Sequence, residues 1–294
     1  MRDMLPKFAA DRPIPLDGGI EVLVLEHHHV EPHGADEDGP VSSHQLRALT
    51  LLVNFVEDAA TRSTFRTLQG AFATANVTAR VFKGPGHVDD LRRFLKSFSV
   101  DSIDAVLFPG VDAVVSPDAV GRVVEALSTA AYGLLVLVGD DCRRWNALRG
   151  ISGFVRGCPT TLPSTAASTL QLLAALSAPK TLTCLDHEDL AACLGSAQDP
   201  AVLVEAVWIG GTQKLAHASE ADARAVSGAS EISAHILGAL LRLADVNAIM
   251  NAVRGNTQAM CNIHFAAPFD AIHAPSLHGR FAMVTMICKC PGTA

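Results

Sequence analysis

Aromatic residues, positive net charge and long apolar runs are all scarce in this sequence. Aromatic side chains make up 5% of its 294 residues and Tyr132 is the only tyrosine, which argues against a surface that stacks nucleic-acid bases. The formal net charge is −7, so the chain as a whole does not attract a polyanion. No apolar run reaches the roughly 18 residues that cross a bilayer. We therefore expect neither a nucleic-acid partner nor a membrane partner.

The cysteines and the first residues indicate a reducing compartment. There are seven cysteines, an odd number at irregular spacing, which is not the pattern of a small disulfide-bonded domain. The opening MRDMLPKFAADRPIP contains no apolar signal core. These features predict a cytoplasmic protein with free thiols.

Residues 45–178 show strands and helices in alternation. The segments IDAVLFPG and GLLVLVGDD are apolar without a period of two, as expected for strands covered on both faces. Apolar residues at helical spacing lie between them. This order predicts a doubly wound α/β domain with a parallel sheet, of receiver or flavodoxin type. Residues 1–44 are expected to form a separate segment with one strand, over 19–26, and a polar loop.

Residues 183–294 show a different order of elements. The segments AVLVEAVWIGG and QKLAHAS predict a β-hairpin. A long helix over 221–244 and three further strands then indicate an α+β domain with an antiparallel sheet. The long helix is apolar on two faces, so a neighbouring domain or a second subunit must cover the second face. We expect a homodimer, with an interface formed by Val226, Ser230, Ser233, Leu237 and Leu241.

The first of these two regions resembles a response-regulator receiver domain, mainly in the order of its elements. That family holds magnesium with acids after its first strand and accepts a phosphoryl group on an aspartate after its third. The corresponding positions here are Glu57, Asp58, Pro109, Gly139 and Cys158. Pro109 stands where the family has the aspartate, Gly139 where it has a serine or threonine, and Cys158 where it has a lysine. These residues cannot supply the groups that phosphoryl transfer needs, so the resemblance implies a protein-binding surface and not a phosphorylation switch.

The second region resembles a roadblock/LC7 domain in its order of helix, hairpin, long helix and three strands. The turn in WIGGTQKLAHAS and the apolar long helix contribute to this similarity. Domains of this family are non-enzymatic, dimerise through the long helix, and bind small Ras-like GTPases or larger regulatory assemblies. Together the two resemblances imply a cytoplasmic signalling scaffold that has no cofactor and is not an enzyme, with a small GTPase among its protein partners.

An enzyme with an α/β core is the alternative, because such sheets bind ligands at the carboxyl edge of their strands. Its site, with or without a metal ion, would be formed by Glu57, Asp140, Asp141 and Cys142. A thiol beside the arginines of GDDCRRW would be the nucleophile.

One cluster of histidines suggests a metal site close to the start of the chain. The segment LEHHHVEPH contains His27, His29 and His33, and imidazole is a common ligand of zinc. A solvated polar loop is the favoured interpretation, because stable sites draw their ligands from separate rigid elements.

Two further groups near the end of the chain contain chemically reactive side chains. Cys288 and Cys290 share a face of the last predicted strand and could hold a soft metal or pair across a dimer, but free thiols are favoured. The segment IHFAAPFDAIH contributes His264, Asp270 and His273, but no serine nucleophile lies near them, so core or surface positions are favoured. No metal is therefore predicted.

Overall fold

A computed structural model describes most of the chain. The described residues are 19–28, 47–55, 76–83, 86–98, 100, 102–110, 115–129, 133–158, 160–176, 185–238, 241–267 and 281–291. Their strands are β1 (Ile20–His28), β2 (Arg47–Asn54), β3 (Asn76–Phe82), β4 (Ser102–Phe108), β5 (Leu135–Gly139), β6 (Gly153–Arg156), β7 (Ala201–Ile209), β8 (Lys214–His217), β9 (Glu231–Leu237), β10 (Asn262–Ala266) and β11 (Phe281–Lys289). Their helices are α1 (His87–Lys96), α2 (Pro117–Ser128), α3 (Leu162–Leu176), α4 (His187–Cys193), α5 (Glu220–Gly228) and α6 (Leu243–Gly255). Within these residues, no helix is both long enough and apolar enough to cross a membrane.

All of the described strands belong to one sheet. The strand order is β10-β9-β11-β7-β6-β5-β4-β2-β1-β3, and β8 pairs with the second half of β7. The run β2, β4, β5, β6 and β7 is parallel, whereas β11 is antiparallel to both β7 and β9. At the far edge, β10 is parallel to β9. The sheet is therefore mixed, with a parallel centre and antiparallel pairs on both sides.

The predicted fold class, a receiver-like parallel domain followed by a separate roadblock-like antiparallel domain, is wrong. Residues Val155 and Arg156 of β6 pair with Ala201 and Val202 of β7, so the two expected sheets are continuous. The first strand also joins this sheet, because β1 lies between β2 and β3. Periodicity reports which faces of a strand are buried, but it does not report which strand lies beside it. The boundaries expected at 44/45 and near 178–183 stay predictions.

The predicted long helix over 221–244 is also wrong. The chain there forms α5, then β9, and α6 begins only at Leu243. Helix α5 ends at Gly228, and Ala229 already has an extended backbone at φ −71° and ψ 142°. The apolar residues of β9 recur at spacings of two and of four, which suit a strand and a helix equally. Both faces of β9 are buried, so the alternation that identifies a half-buried strand is missing.

The five residues of the expected dimer interface consequently do not share a helical face. Val226 lies in α5 and is fully buried in the core. Ser233 and Leu237 lie in β9, while Ser230 and Leu241 lie in the connections around it. No helix presents them together, and the homodimer itself stays a prediction.

Helices cover the two faces of the sheet. On one face of the parallel centre, α1 and α2 pack around residues such as Leu107 and Val120, and α3 and α4 pack on the other around residues such as Val136 and Leu170. In the second half of the sheet, α5 and α6 bury one face, where Val253 packs near β9. The opposite face of β9 and β10 lies beside α4, and it contains the polar side chains described next.

Candidate metal centre

Three side chains with different donor atoms meet between α4 and the edge of the sheet. They are Cys193 at the end of α4, Glu231 at the start of β9 and His264 within β10. One ligand atom from each residue lies within 4.8 Å of the other two. Thiolate, carboxylate and imidazole are all zinc ligands. This trio is therefore a candidate site for a divalent metal ion.

Strand register places two of these ligands on the same face of the sheet. Asn262 pairs with Glu231 and His264 pairs with Ser233 in the parallel β9–β10 ladder. Residues two apart in a strand point to the same side, so Glu231 and His264 are neighbours one row apart. The ligands thus come from two adjacent strands and a helix, which are separate rigid elements.

Helix α4 brings the third ligand to this face. Asp186 caps the helix by accepting a 2.7 Å hydrogen bond from the backbone N–H of Asp189, a reciprocal capping arrangement that fixes where the helix begins. The apolar face of α4 packs against the sheet through Leu190. Cys193 lies one turn further along the same face, and its side chain is buried.

Partners outside the trio orient two of its members. Asp189 Oδ1 lies 2.8 Å from His264 Nδ1, and Glu231 Oε2 lies 3.7 Å from His264 Nε2. Asn262 Nδ2 donates a 2.9 Å hydrogen bond to Glu231 Oε1. A neutral ring that donates from Nδ1 to Asp189 would leave the lone pair of Nε2 on the side of Glu231. A carboxylate on one histidine nitrogen with the other nitrogen left for an ion is the usual outer sphere of a metal site.

Local charge favours a cation at this place. Burial, together with the negative charges of Glu231 and Asp189, raises the pKa of the Cys193 thiol to about 12, while Lys289 acts in the opposite direction. The Lys289 ammonium donates a 3.1 Å hydrogen bond to the Ala192 carbonyl. It therefore interacts with the carboxyl end of α4 as well as with the acidic side chains. A bound divalent ion reverses this balance, because coordination deprotonates a thiol outright.

The trio can hold an ion and still leave one coordination position free. Zinc is usually four-coordinate, and sites with three protein ligands keep the fourth position for water or substrate. The side chains of His264, Glu231 and Asp189 are 27%, 23% and 31% exposed, so an ion can enter from solvent. Such a site has the means to polarise a bound water or carbonyl group.

Comparisons with known proteins give a likeness in structure only. No protein-family model and no curated protein match the sequence. A point mutant of FtsZ from M. jannaschii has a TM-score of 0.44 at 13% identity, covering 70% of this chain and 71% of that one. The FtsZ dimer of the same organism has a TM-score of 0.43 at 12% identity, over 69% and 68% of the two chains. CetZ from Methanosaeta thermophila has a TM-score of 0.44 at 10% identity, over 70% and 66%.

The fold overturns the expected families and the function they implied. The prediction of a receiver domain followed by a roadblock/LC7 domain is wrong, because the described strands form one continuous mixed sheet where two separate sheets were expected. The prediction of a non-enzymatic scaffold, with its preference against an enzyme, is wrong with it, because it was inferred from those two families alone. One FtsZ neighbour is described as a dimer, whereas nothing supports a small GTPase as partner of this chain.

The positions compared above with a receiver domain, where the structure describes them, lie at the carboxyl edge of the parallel strands. Pro109 follows β4 and is buried, Gly139 ends β5, and Cys158 lies exposed after β6. Hydrogen bonding to Thr160 lowers the pKa of the Cys158 thiol. Glu57 and Asp58 lie outside the described residues.

Cys142 is a buried core residue and does not have the exposed position that the alternative hypothesis, an α/β enzyme with Cys142 as nucleophile, requires. It is 2% exposed, and its thiol lies 3.7 Å from the Gly139 carbonyl and 3.8 Å from the Val155 carbonyl. Burial raises its pKa to about 12, so it stays a thiol at neutral pH. Asp141 accepts a hydrogen bond from Arg143 N and caps the short 3-10 turn there.

The other metal candidates do not join the trio. Cys288 is buried on the opposite face of the sheet, and Cys290 donates to the Ala225 carbonyl at 3.5 Å. The side chains of His27, His29, His33, Asp270 and His273 lie outside the described residues. Sequence reasoning considered His264 but missed Cys193 and Glu231, because only the β9–β10 register and the position of α4 bring them together.

Proposed function

We propose that the protein binds one divalent metal ion of the zinc class through Cys193, Glu231 and His264. The observation that supports this most is the setting of His264, which has Asp189 on Nδ1 and directs Nε2 towards Glu231. A mixed sulfur, nitrogen and oxygen donor set favours zinc over the hard cations magnesium and calcium, which prefer oxygen ligands alone.

An ordinary ion pair is the competing explanation of these contacts. Protonated His264 between Asp189 and Glu231 would satisfy the same distances without any metal. That explanation gives the thiol of Cys193 no polar role and leaves it as one more buried residue of the apolar face of α4. A metal ion accounts for all three ligands at once, because it is the positive charge that the thiolate and the carboxylate share.

Metal binding would also tie three elements together. The ligands belong to α4, β9 and β10, so the ion joins the helix to the edge of the sheet. A ligand that binds only the folded state stabilises it by about 2.7 kcal/mol when its free concentration is 100 times its dissociation constant. We therefore expect zinc to raise the midpoint of thermal unfolding.

The test is a zinc titration of metal-free protein in competition with a chromophoric chelator. We expect one zinc per wild-type chain. Replacement of a ligand, in Cys193→Ser or His264→Ala, should weaken binding by more than the roughly 10–100-fold that loss of an outer-sphere partner causes. Asp189→Asn should fall within that range, because it removes the carboxylate on Nδ1 and leaves the three ligands in place.

The matched controls remove the same chemical groups elsewhere. Cys158→Ser removes an exposed thiol and His217→Ala removes an imidazole from β8. Both should bind zinc as the wild type does. Equal affinity in the wild type and the two ligand variants would refute the site, and so would the absence of stoichiometric zinc from the wild type.

A further inference from the structure

A buried serine hydroxyl lies beside the proposed metal ligands. Ser233 is fully buried, and its Oγ has no hydrogen-bond partner among the described residues. Buried hydroxyl groups are almost always hydrogen-bonded, so an orphan of this kind needs an explanation. A bound water or small ligand is the usual hydrogen-bond partner of such a group.

The register places this hydroxyl at the floor of the site. Ser233 pairs directly with His264 in the β9–β10 ladder, and it follows Glu231 by two residues on the same strand. All three side chains therefore leave the same face of the sheet. Cys193 approaches that face from α4, and Ser233 is a neighbour of both strand-borne ligands, since it is paired with His264 and lies one row from Glu231.

We propose that the fourth coordination position of this metal is taken by an exchangeable small ligand, water or a small anion, that is hydrogen-bonded to Ser233 Oγ. This inference rests on the metal site proposed above. A site of this kind has three protein ligands and one position open to small molecules, unlike a structural zinc site, where four protein ligands surround the ion. The class of molecule that it accepts is one with a hydrogen-bond acceptor at its coordinating atom, such as an oxyanion or azide.

A second buried hydroxyl on the same face provides the comparison. Thr285 of β11 is 1% exposed and its Oγ1 also has no hydrogen-bond partner among the described residues. It pairs with His235 and not with Ser233, so it lies one row further from the ligands. Its removal therefore matches the loss of a buried hydroxyl without touching the proposed position.

The experiment uses cobalt in place of zinc and azide as the probe. Cobalt(II) gives visible absorption that changes when a ligand at the ion is exchanged. Azide titrated into the cobalt-loaded full chain should change the spectrum in a saturable way. In Ser233→Ala the azide dissociation constant should increase roughly 2- to 10-fold, the range for loss of one hydrogen bond, whereas Thr285→Val should equal the wild type.

The outcomes separate the two proposals. A wild-type chain that fails to bind cobalt refutes the metal site itself. A cobalt site whose spectrum does not respond to azide refutes the exchangeable position alone. An unchanged azide constant in Ser233→Ala, or an equal change in Thr285→Val, refutes the role of Ser233.

Discussion

Removing the imidazole of His187 should destabilise the protein, and more so at low pH than at high pH. His187 begins α4, and its Nε2 lies 3.0 Å from both oxygens of Asp104 on β4. The Asp104 carboxylate is fully buried and also accepts a 2.7 Å hydrogen bond from Leu134 N. This pair is the polar link between the helix of the candidate site and the parallel centre of the sheet.

The magnitude follows from the burial of the two partners. A hydrogen bond to a charged group contributes about 1.5–3 kcal/mol. The His187 side chain is 39% exposed, so solvent screens its charge and the lower half of that range applies. His187→Ala should therefore cost about 1.5–2 kcal/mol at a pH where the imidazole is protonated, since the buried Asp104 keeps only its bond from Leu134.

The sign of the pH dependence follows from the direction of the pKa shift. The hydrogen bond to Asp104 raises the pKa of His187 above 6.5, although burial opposes this. A raised pKa in the folded state means that the stabilisation is fully present below about pH 6.5 and is lost as the pH rises through the folded pKa. A remainder persists at high pH, because neutral imidazole can still donate one hydrogen bond.

The assay is urea unfolding of the wild type and His187→Ala at about pH 5.5 and about pH 9. The two proteins should unfold with the same dependence of free energy on urea concentration, so that a shift of the midpoint reports stability alone. The difference in unfolding free energy should be larger at the lower pH. Glu188→Ala, which changes an exposed neighbour in the same helix, controls for helix propensity and should show no such trend. An equal cost at both values, or a larger cost at the higher one, would refute the reasoning.

Two further outcomes are expected from burial and close packing. Iodoacetamide at mildly alkaline pH should label Cys158 first, because its pKa is lowered, and should leave Cys142 unlabelled until the protein unfolds; mass spectrometry that found the reverse order would contradict this. Gly153→Ala should cost about 1–3 kcal/mol in urea unfolding, because its new Cβ would overlap the side chain of Leu194. Gly211→Ala, where nothing lies within 4 Å, is the matched control, and an equal cost in both would refute the packing argument.

The parallel centre of the sheet was predictable from sequence. The segments IDAVLFPG and GLLVLVGDD were expected to be strands, because apolar runs bounded by turn residues are typical of strands buried on both faces. They contain β4 and β5. The pairing of β6 with β7 was not predictable, since no local pattern reports which distant strand lies alongside. The two-domain interpretation failed at that point.

The candidate site shows the same division. His264 drew attention as a residue that could take part in catalysis, but Glu231 and Cys193 did not, because Glu231 was assigned to the expected long helix and nothing local connects Cys193 with it. Once β9 is a strand, its register with β10 places Glu231 beside His264. The error over one segment of seven residues therefore concealed the site as well as the fold.

Zinc-edge X-ray absorption of the zinc-loaded chain tests the central claim most directly. The account predicts one sulfur at about 2.3 Å together with nitrogen and oxygen scatterers at about 2.0–2.1 Å, and loss of the sulfur shell in Cys193→Ser. A shell of oxygen and nitrogen alone in the wild type would contradict it, as would a sulfur shell that survives the substitution of Cys193.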